Sequence, residues 1–284
     1  MTLYVVATPI GNLGDMSPRA VETLKNVQLI AAEDTRVTMK LTSHFDIHTP
    51  LTSCHRHNEA GKAQEIVSRM LEEGIDVALV TDAGTPGVSD PGMILTRLCA
   101  EAGIPVVAVP GPTALAAALS VSGFDVTEFT FYGFLPREKK PLEEKLKSMI
   151  GQQAAIIHES PFRVTALMES IARVLPEARV SASCDLSKLH ELTLRGTPAG
   201  VLEQLKANDK TEKGEYCIVL DLRGVPVPER EPAEADIRPE LRLLDLMLEG
   251  LSLREARERL QAEGLRKNEL YAAALRIKDA FEIQ

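Results

Sequence analysis

The chain has no C-x-x-C pair, no G-x-G-x-x-G, no apolar run of membrane-spanning length and no surplus of positive charge. Each absence removes a class of function. The four cysteines, Cys54, Cys99, Cys184 and Cys217, are scattered. That fits reduced thiols in the cytoplasm and argues against zinc, so no metal is expected. A bilayer-crossing helix needs roughly 20 consecutive apolar residues, so no membrane partner is expected either. The first residues, Met1 to Val6, carry no basic leader and meet Pro9 and Gly11 at once, which reads as a first strand and not a signal peptide. With a net charge of −9 and a pI near 5.3, the chain lacks the basic balance of proteins that grip bare nucleic acid through its phosphates. The missing glycine fingerprint leaves only Gly11-x-x-Gly14 after the first strand, too little for a dinucleotide site.

What is present is organised around Val77 to Gly92. The apolar run Val77 to Val80 stops at Thr81-Asp82-Ala83-Gly84-Thr85-Pro86, and Asp90-Pro91-Gly92 then opens a helical pattern. This predicts a buried strand, a constrained loop and a helix N-terminus. The loop is far longer than a plain strand-to-helix turn requires. In open α/β sheets, ligands bind where strand C-termini meet helix N-termini.

In chain order, Tyr4 to Thr8 reads as a strand, and Ser17 with Pro18 as the start of a helix through Val21, Leu24 and Val27. A second strand, Gln28 to Ala32, delivers Glu33, Asp34 and Arg36 to the same sheet edge as Asp82; an N-cap at Asp34 or Thr35 beside a surface arginine is an equal reading. His55 and His57 alternate as on a strand, with Glu59 on the same side. No further local ligand accompanies them, so a hydrogen-bonding or acid–base cluster is expected before a metal, and a plain helix-capping role for Asn58 is the alternative reading. Pro105 to Val109 is another strand, closed by Pro110-Gly111-Pro112-Thr113-Ala114, and the alanine-rich helix after it lets its backbone approach a ligand or another element. Alternation to residue 122 gives a parallel α/β domain.

A second α/β domain, 123–224, opens with Thr130 to Pro136 and the most basic stretch of the chain, Arg137, Lys139, Lys140, Lys145 and Lys147. Strands are expected at 154–158, 179–184 and 214–220, with helices at 164–175 and around 200–205. A Pro- and charge-rich linker, 225–235, leads to a helical module, 236–284, with a Gly264 turn and a helix-turn-helix character. Its charges nearly balance, so docking to protein is as natural for it as docking to RNA.

Eight motifs occur in one order: T-P-I-G-N (Thr8 to Asn12), A-E-D-T-R (Ala32 to Arg36), H-x-H-N-E (His55 to Glu59), D-A-G-T-P with D-P-G (Asp82 to Gly92), P-G-P (Pro110 to Pro112), G-F-L-P (Gly133 to Pro136), E-S-P-x-R (Glu159 to Arg163) and K-G-E (Lys213 to Glu215). Together they resemble the bacterial 2′-O-ribose cytidine methyltransferases of small-subunit (16S) ribosomal RNA, a branch of the tetrapyrrole-methylase superfamily. The resemblance spans almost the whole chain. It implies two α/β domains with S-adenosylmethionine in the cleft between them, a homodimer, and a small ribosomal subunit as partner. It further implies that Pro9, Ile10, Gly11, Asp82, Ala83, Gly84, Thr85, Pro110, Gly111, Thr113 and Ala114 hold the cofactor from the first domain, with Glu159, Ser183 and Glu215 closing from the second. His158-Glu159-Ser160-Pro161-Phe162-Arg163 departs from the family's Tyr-Glu-Ser-Pro-His-Arg, and Cys184-Asp185-Leu186-Ser187-Lys188 from its Arg-Glu-Leu-Thr-Lys. Altered second-domain contacts with retained activity are expected.

Transfer to a ribose hydroxyl is an in-line displacement at a sulfonium methyl, so the protein must align the hydroxyl and help its proton leave. His57 and Glu59 are the expected proton acceptors, with Glu33 and Asp34 as alternatives. Arg36, Asn58, Arg137, Lys139, Lys140 and Lys188 are expected to hold ribose or phosphate.

Overall fold

The computed structural model describes residues 1–227 and 238–281. Five short strands form the first sheet: β1 (Leu3–Val6), β2 (Leu29–Ala32), β3 (Leu51–Ser53), β4 (Val77–Val80) and β5 (Val106–Val109). All pair in parallel, in the order β3-β2-β4-β1-β5. Parallel strands need crossovers, and helices supply them: α1 (Pro18–Asn26), α2 (Thr35–His44), α3 (Glu59–Glu73) and α4 (Met93–Glu101), while α5 (Ala114–Ser122) leads on to the second sheet. The expected start of α1 is there, with the Ser17 hydroxyl accepting the Ala20 N–H and Pro18 at the first position.

β4 is buried on both sides. Val77 and Leu79 pack with α3 and α4, through Ile66, Met70, Leu95 and Cys99, while Ala78 and Val80 pack with α1, through Ala20 and Leu24. The chain leaves β1 towards β2 and the neighbouring β4 towards β5, so the two connections run in opposite directions over opposite faces of the sheet, α1 on one and α4 on the other. A crevice opens at such a switch point, outside the strand C-termini.

The second sheet holds β6 (Phe129–Phe134), β7 (Ala154–Glu159), β8 (Arg179–Cys184), β9 (Leu192–Gly196) and β10 (Tyr216–Asp221), in the order β6-β7-β10-β8-β9. It is mixed: β6 and β7 are parallel and the other pairings antiparallel. The strand β9 has no counterpart in the sequence expectation. One face packs on α6 (Lys139–Lys147), α7 (Pro161–Val174) and α8 (Pro198–Ala207). The other meets α5, where Ala118 packs against Ile156, Cys217 and Val219. The alanines of α5 therefore admit another element at close range, and that element is the second sheet.

By density of internal contacts the chain separates into 1–226 and 227–284. The first unit carries both sheets. Most of the expected linker, 225–235, lies outside the described residues, as do 236 and 237. The second unit is three helices, α9 (Pro239–Leu248), α10 (Leu253–Ala262) and α11 (Lys267–Phe281), around Leu243, Leu246, Ala256, Leu260, Leu270 and Ile277. A capping box begins α10: the Ser252 hydroxyl accepts the Glu255 N–H and the Glu255 carboxylate answers at Ser252. Among the described residues no helix is long and apolar enough to cross a membrane.

Candidate functional site

The loops after β1 and β4 are clipped together at the switch point. Thr8 N–H donates to the Gly84 carbonyl (2.9 Å), Gly84 N–H returns to Thr8 (3.0 Å), and the buried Thr8 hydroxyl reaches the Thr81 carbonyl (3.0 Å). Gly84 sits at φ +79°, a backbone state that costs glycine nothing. The loop after β2 joins the same edge: Asp82 N–H donates to Glu33 (3.3 Å) and Asp34 N–H to the Asp82 carboxylate (3.1 Å). Opposite these loops stand the ends of β7, β8 and β10. Between them lies a cavity of about 580 Å³, a volume ordinary for a small organic ligand.

The first-sheet wall is Ile10, Glu33, Asp82 to Thr85, Val88 to Asp90 and Thr113 to Leu115. The second-sheet wall includes Phe134, His158, Glu159, Asp185, Leu186, Lys188, Glu215 and Cys217. Strand register explains part of this wall: Phe134 lies opposite His158, and His158 opposite Cys217, so the three share one face.

The two walls differ electrostatically. Removal from water raises the carboxyl pKa of Glu33, and the nearby Asp82 and Asp90 charges push the same way. Burial likewise raises Asp90, with Arg56 as the opposing cation. Arg56 is fixed by donating to the Ser89 carbonyl (3.1 Å). Across the cavity, Lys188 is held between Asp185 (2.8 Å) and Glu215 (3.0 Å). Burial opposes the Lys188 charge, but these two partners overcome it and its pKa rises. Glu159 is 2 % exposed, accepts from Ser160 N–H (2.7 Å) and lies 3.3 Å from Arg163. His158 Nε2 is buried with no hydrogen-bond partner in the protein, and burial lowers the ring's pKa, which keeps the imidazole neutral. An unpartnered polar atom in a cavity wall is expensive unless a ligand satisfies it.

Several expected site residues stand elsewhere. His55 and His57 are not on a strand: β3 ends at Ser53, and Asn58 closes a turn by accepting the His55 N–H (2.8 Å). His57 is exposed and lines no part of the cavity. Asn58 donates back to the Ser53 carbonyl (3.3 Å) and makes no side-chain cap on α3. Glu59 is 6 % exposed and faces the start of α4, accepting N–H groups from Gly92 (2.9 Å) and Ile94 (2.8 Å). Free N–H groups at a helix start attract an anion; Glu59 is that anion, away from the cavity. Gly92 has φ +126°, and a Cβ there would meet Leu79 at 2.7 Å. Asp34 caps α2 and pairs with Arg36 (2.6 Å), which lowers its pKa to about 2. That is the N-cap reading of Asp34, and it occupies Arg36 too. Ser183 is fully buried, its hydroxyl 3.0 Å from Thr193.

Pro9, Gly11, Pro110 and Gly111 flank the cavity without lining it. Gly111 brings its loop against Ala7, whose Cβ would lie 3.1 Å from a Cβ at that position. Lys139 and Lys140 are exposed at the start of α6; Arg137 lines a neighbouring recess. His158, Ser89, Asp90 and Phe134 were not expected at the cavity. The histidine that precedes E-S-P-x-R in place of the family's tyrosine, the aromatic of G-F-L-P and the D-P-G motif carried the available signal. Among the described residues no cluster of three or more His, Cys, Asp or Glu is arranged to hold a metal ion.

The comparisons agree with this architecture. The sequence profile of the family described as Tetrapyrrole (Corrin/Porphyrin) Methylases matches residues 2–201. The chain is 44 % identical over 281 residues to "Ribosomal RNA small subunit methyltransferase I" of Synechocystis, covering 97 % of this chain and 98 % of that one. The protein of the same name from Pseudomonas aeruginosa is also 44 % identical over 281 residues, with 96 % of each chain covered. A crystal structure of uroporphyrin-III C-methyltransferase from Thermus thermophilus, complexed with S-adenosyl homocysteine, superposes with a TM-score of 0.54 at 16 % identity, over 78 % of this chain and 97 % of that one. At that identity the likeness concerns the fold alone. The two-sheet unit, the cavity between its sheets and the match over most of the chain place this protein in the tetrapyrrole methylase family.

Proposed function

We propose that this protein transfers the methyl group of S-adenosylmethionine to the 2′-oxygen of a cytidine in small-subunit ribosomal RNA, on the assembled subunit. What carries the reading is the nearly end-to-end likeness to relatives named for ribosomal RNA methylation, which extends past residue 201 into the helical tail. The cavity suits the cofactor. Ile10, Leu115 and Leu186 offer apolar surface for a nucleoside, the Asp82 to Thr85 loop offers backbone polar groups, and His158 Nε2 awaits a partner. The bound cofactor would supply the electrophilic methyl, so the chemistry needs no metal.

The remaining work falls to side chains. A 2′-hydroxyl must lose its proton as the new bond forms, and a carboxylate with a raised pKa is the fitting acceptor. Of the four candidates for this role, Glu33 alone lines the cavity and has that shift; Asp34, His57 and Glu59 are held elsewhere. Lys188 then acts as a positioning cation, strapping the ends of β8 and β10 across the cleft. Arg137, Lys139 and Lys140 supply positive charge for RNA on an otherwise acidic protein.

A homodimer in the cytoplasm completes the proposal. The edge strand β5 leaves Val107 39 % exposed, and Phe129 at the start of β6 is 45 % exposed, apolar surface that a second copy would cover.

The test is transfer of labelled methyl to small subunits lacking the modification, beside naked ribosomal RNA and a porphyrinoid. Label on a cytidine 2′-oxygen in subunits is the expected result. Label on the porphyrinoid alone would overturn the reading in favour of a small-molecule methyltransferase.

A further inference from the structure

Next to the cofactor cavity is a second recess of about 430 Å³, lined by Phe134, Leu135, Pro136, Arg137, Glu159, Ser160 and Arg163. Phe134, Glu159 and Ser160 belong to both spaces, so an occupant of one abuts an occupant of the other. The recess is built. Arg163 donates to the Pro136 carbonyl (3.2 Å) and lies against the buried Glu159, which fixes its back wall. The register of β6 against β7 shifts between Phe131 and Gly133, and Gly133 takes φ +61°. Such an irregularity re-aims the following side chain. A Cβ on Gly133 would meet the Ser89 hydroxyl at 3.0 Å, so β6 comes against the first-sheet wall here.

The side chain that follows is Phe134. The residue is 62 % exposed, with its ring edge-on to His158 and centroids 6.0 Å apart. An apolar ring presented to solvent at a strand end, between two cavities, calls for a planar partner. Beside it Arg137, Lys139 and Lys140 are exposed and form no ion pair among the described residues, whereas Arg163 and Arg173 nearby are paired. Exposed aromatic plus unpaired arginine is the chemistry that holds an unstacked nucleotide, base on ring and phosphate on cation.

We propose that this recess seats an unpaired nucleotide of the RNA substrate, with its base stacked on Phe134 and its phosphate at Arg137. The seat rests on the RNA-methyltransferase reading and adds to it the demand that the target be splayed out of any helix. It also gives the aromatic of G-F-L-P a task distinct from holding the cofactor.

The test compares Phe134→Leu, Phe134→Trp and Arg137→Gln with the wild type, using small subunits lacking the methyl group. Cofactor affinity is measured in parallel by calorimetry. Base–aromatic stacking predicts a fall in kcat/KM of roughly ten- to a hundredfold for Phe134→Leu, with Phe134→Trp close to wild type. Arg137→Gln should raise KM with kcat kept. Cofactor affinity should be unchanged in Arg137→Gln and should fall far less than kcat/KM in Phe134→Leu, whose ring also borders the cofactor cavity. The chain has no tryptophan, so the introduced indole is the only one it contributes, and subunits added with S-adenosyl homocysteine present should quench it once the emission of subunits mixed with the wild type is subtracted.

Full activity of Phe134→Leu, failure of Phe134→Trp to restore turnover, or emission unchanged at subunit concentrations that saturate turnover would overturn the seat. All three results leave methylation by the wild type intact. A wild type that methylates no RNA would instead overturn the underlying reading, and the seat with it.

Discussion

The two walls of the cavity are made of different material. The first-sheet wall consists of long loops at the C-termini of parallel strands, and it gathers carboxyls raised by burial, Glu33, Asp82 and Asp90, opposed by Arg56 at Glu33 and Asp90 and by Arg36 at Asp82. The second-sheet wall is built largely from strand ends, and its charges are paired, Lys188 with Asp185 and Glu215, and Glu159 with Arg163. Groups pushed away from their ordinary pKa can exchange protons near neutrality, while paired groups hold shape. The first wall is thus suited to chemistry and the second to positioning.

The sharpest way to break this contrast is Glu33→Gln. Removing a general base costs on the order of 10²- to 10⁴-fold in turnover, and cofactor affinity measured by calorimetry should survive. Stability should move the other way. A carboxyl whose folded pKa is raised favours the native state at low pH and loses that contribution as pH rises through the folded value. At neutral pH the charged Glu33 is a small liability, and Glu33→Gln should raise the melting temperature slightly while slowing turnover.

Glu59 provides the opposite case, a carboxylate expected as a proton acceptor but held by backbone N–H groups at the start of α4. Glu59→Ala strands the Gly92 and Ile94 N–H groups, at a cost of roughly 2–3 kcal/mol for buried bonds to a charged group. Denaturant melts would register the loss, and Glu59→Gln should recover part of it. The protein that remains folded should still turn over.

On the second wall, His158→Phe should weaken cofactor binding by roughly 1 kcal/mol, the worth of one net hydrogen bond. His158→Gln should recover most of it, as read by calorimetry. The smallest effect is expected from Arg36→Gln. Its partner Asp34 is satisfied within the same turn, the arginine itself is solvent-exposed, and ion pairs open to solvent contribute little. Turnover and melting should hardly change.

These contrasts mark what the sequence could and could not disclose. The loops after β1 and β4 were legible because Gly, Pro and Asp follow short apolar runs, and such loops seat ligands at sheet edges. Glu33 and Asp82 were legible as residues just past buried strands. Glu59 was misleading because its partners, Gly92 and Ile94, stand 33 and 35 positions away, beyond any local pattern. The His55/His57 alternation mimicked a strand, yet Asn58 turns the backbone by capturing the His55 N–H. The row of Phe134, His158 and Cys217 exists only once β6, β7 and β10 are in register. β9 escaped notice because Leu192–Gly196 is short and mostly exposed, with little apolar alternation to read.

The measurement that bears most directly on the division between the walls is the pH dependence of single-turnover methyl transfer to small subunits, for wild type and Glu33→Gln. The predicted wild-type rate rises with pH through an apparent pKa above the ordinary glutamate range, and that limb is missing from the far slower variant. Equal rates with the same profile in both would contradict Glu33 as the proton acceptor, and with it the chemical role of the first wall.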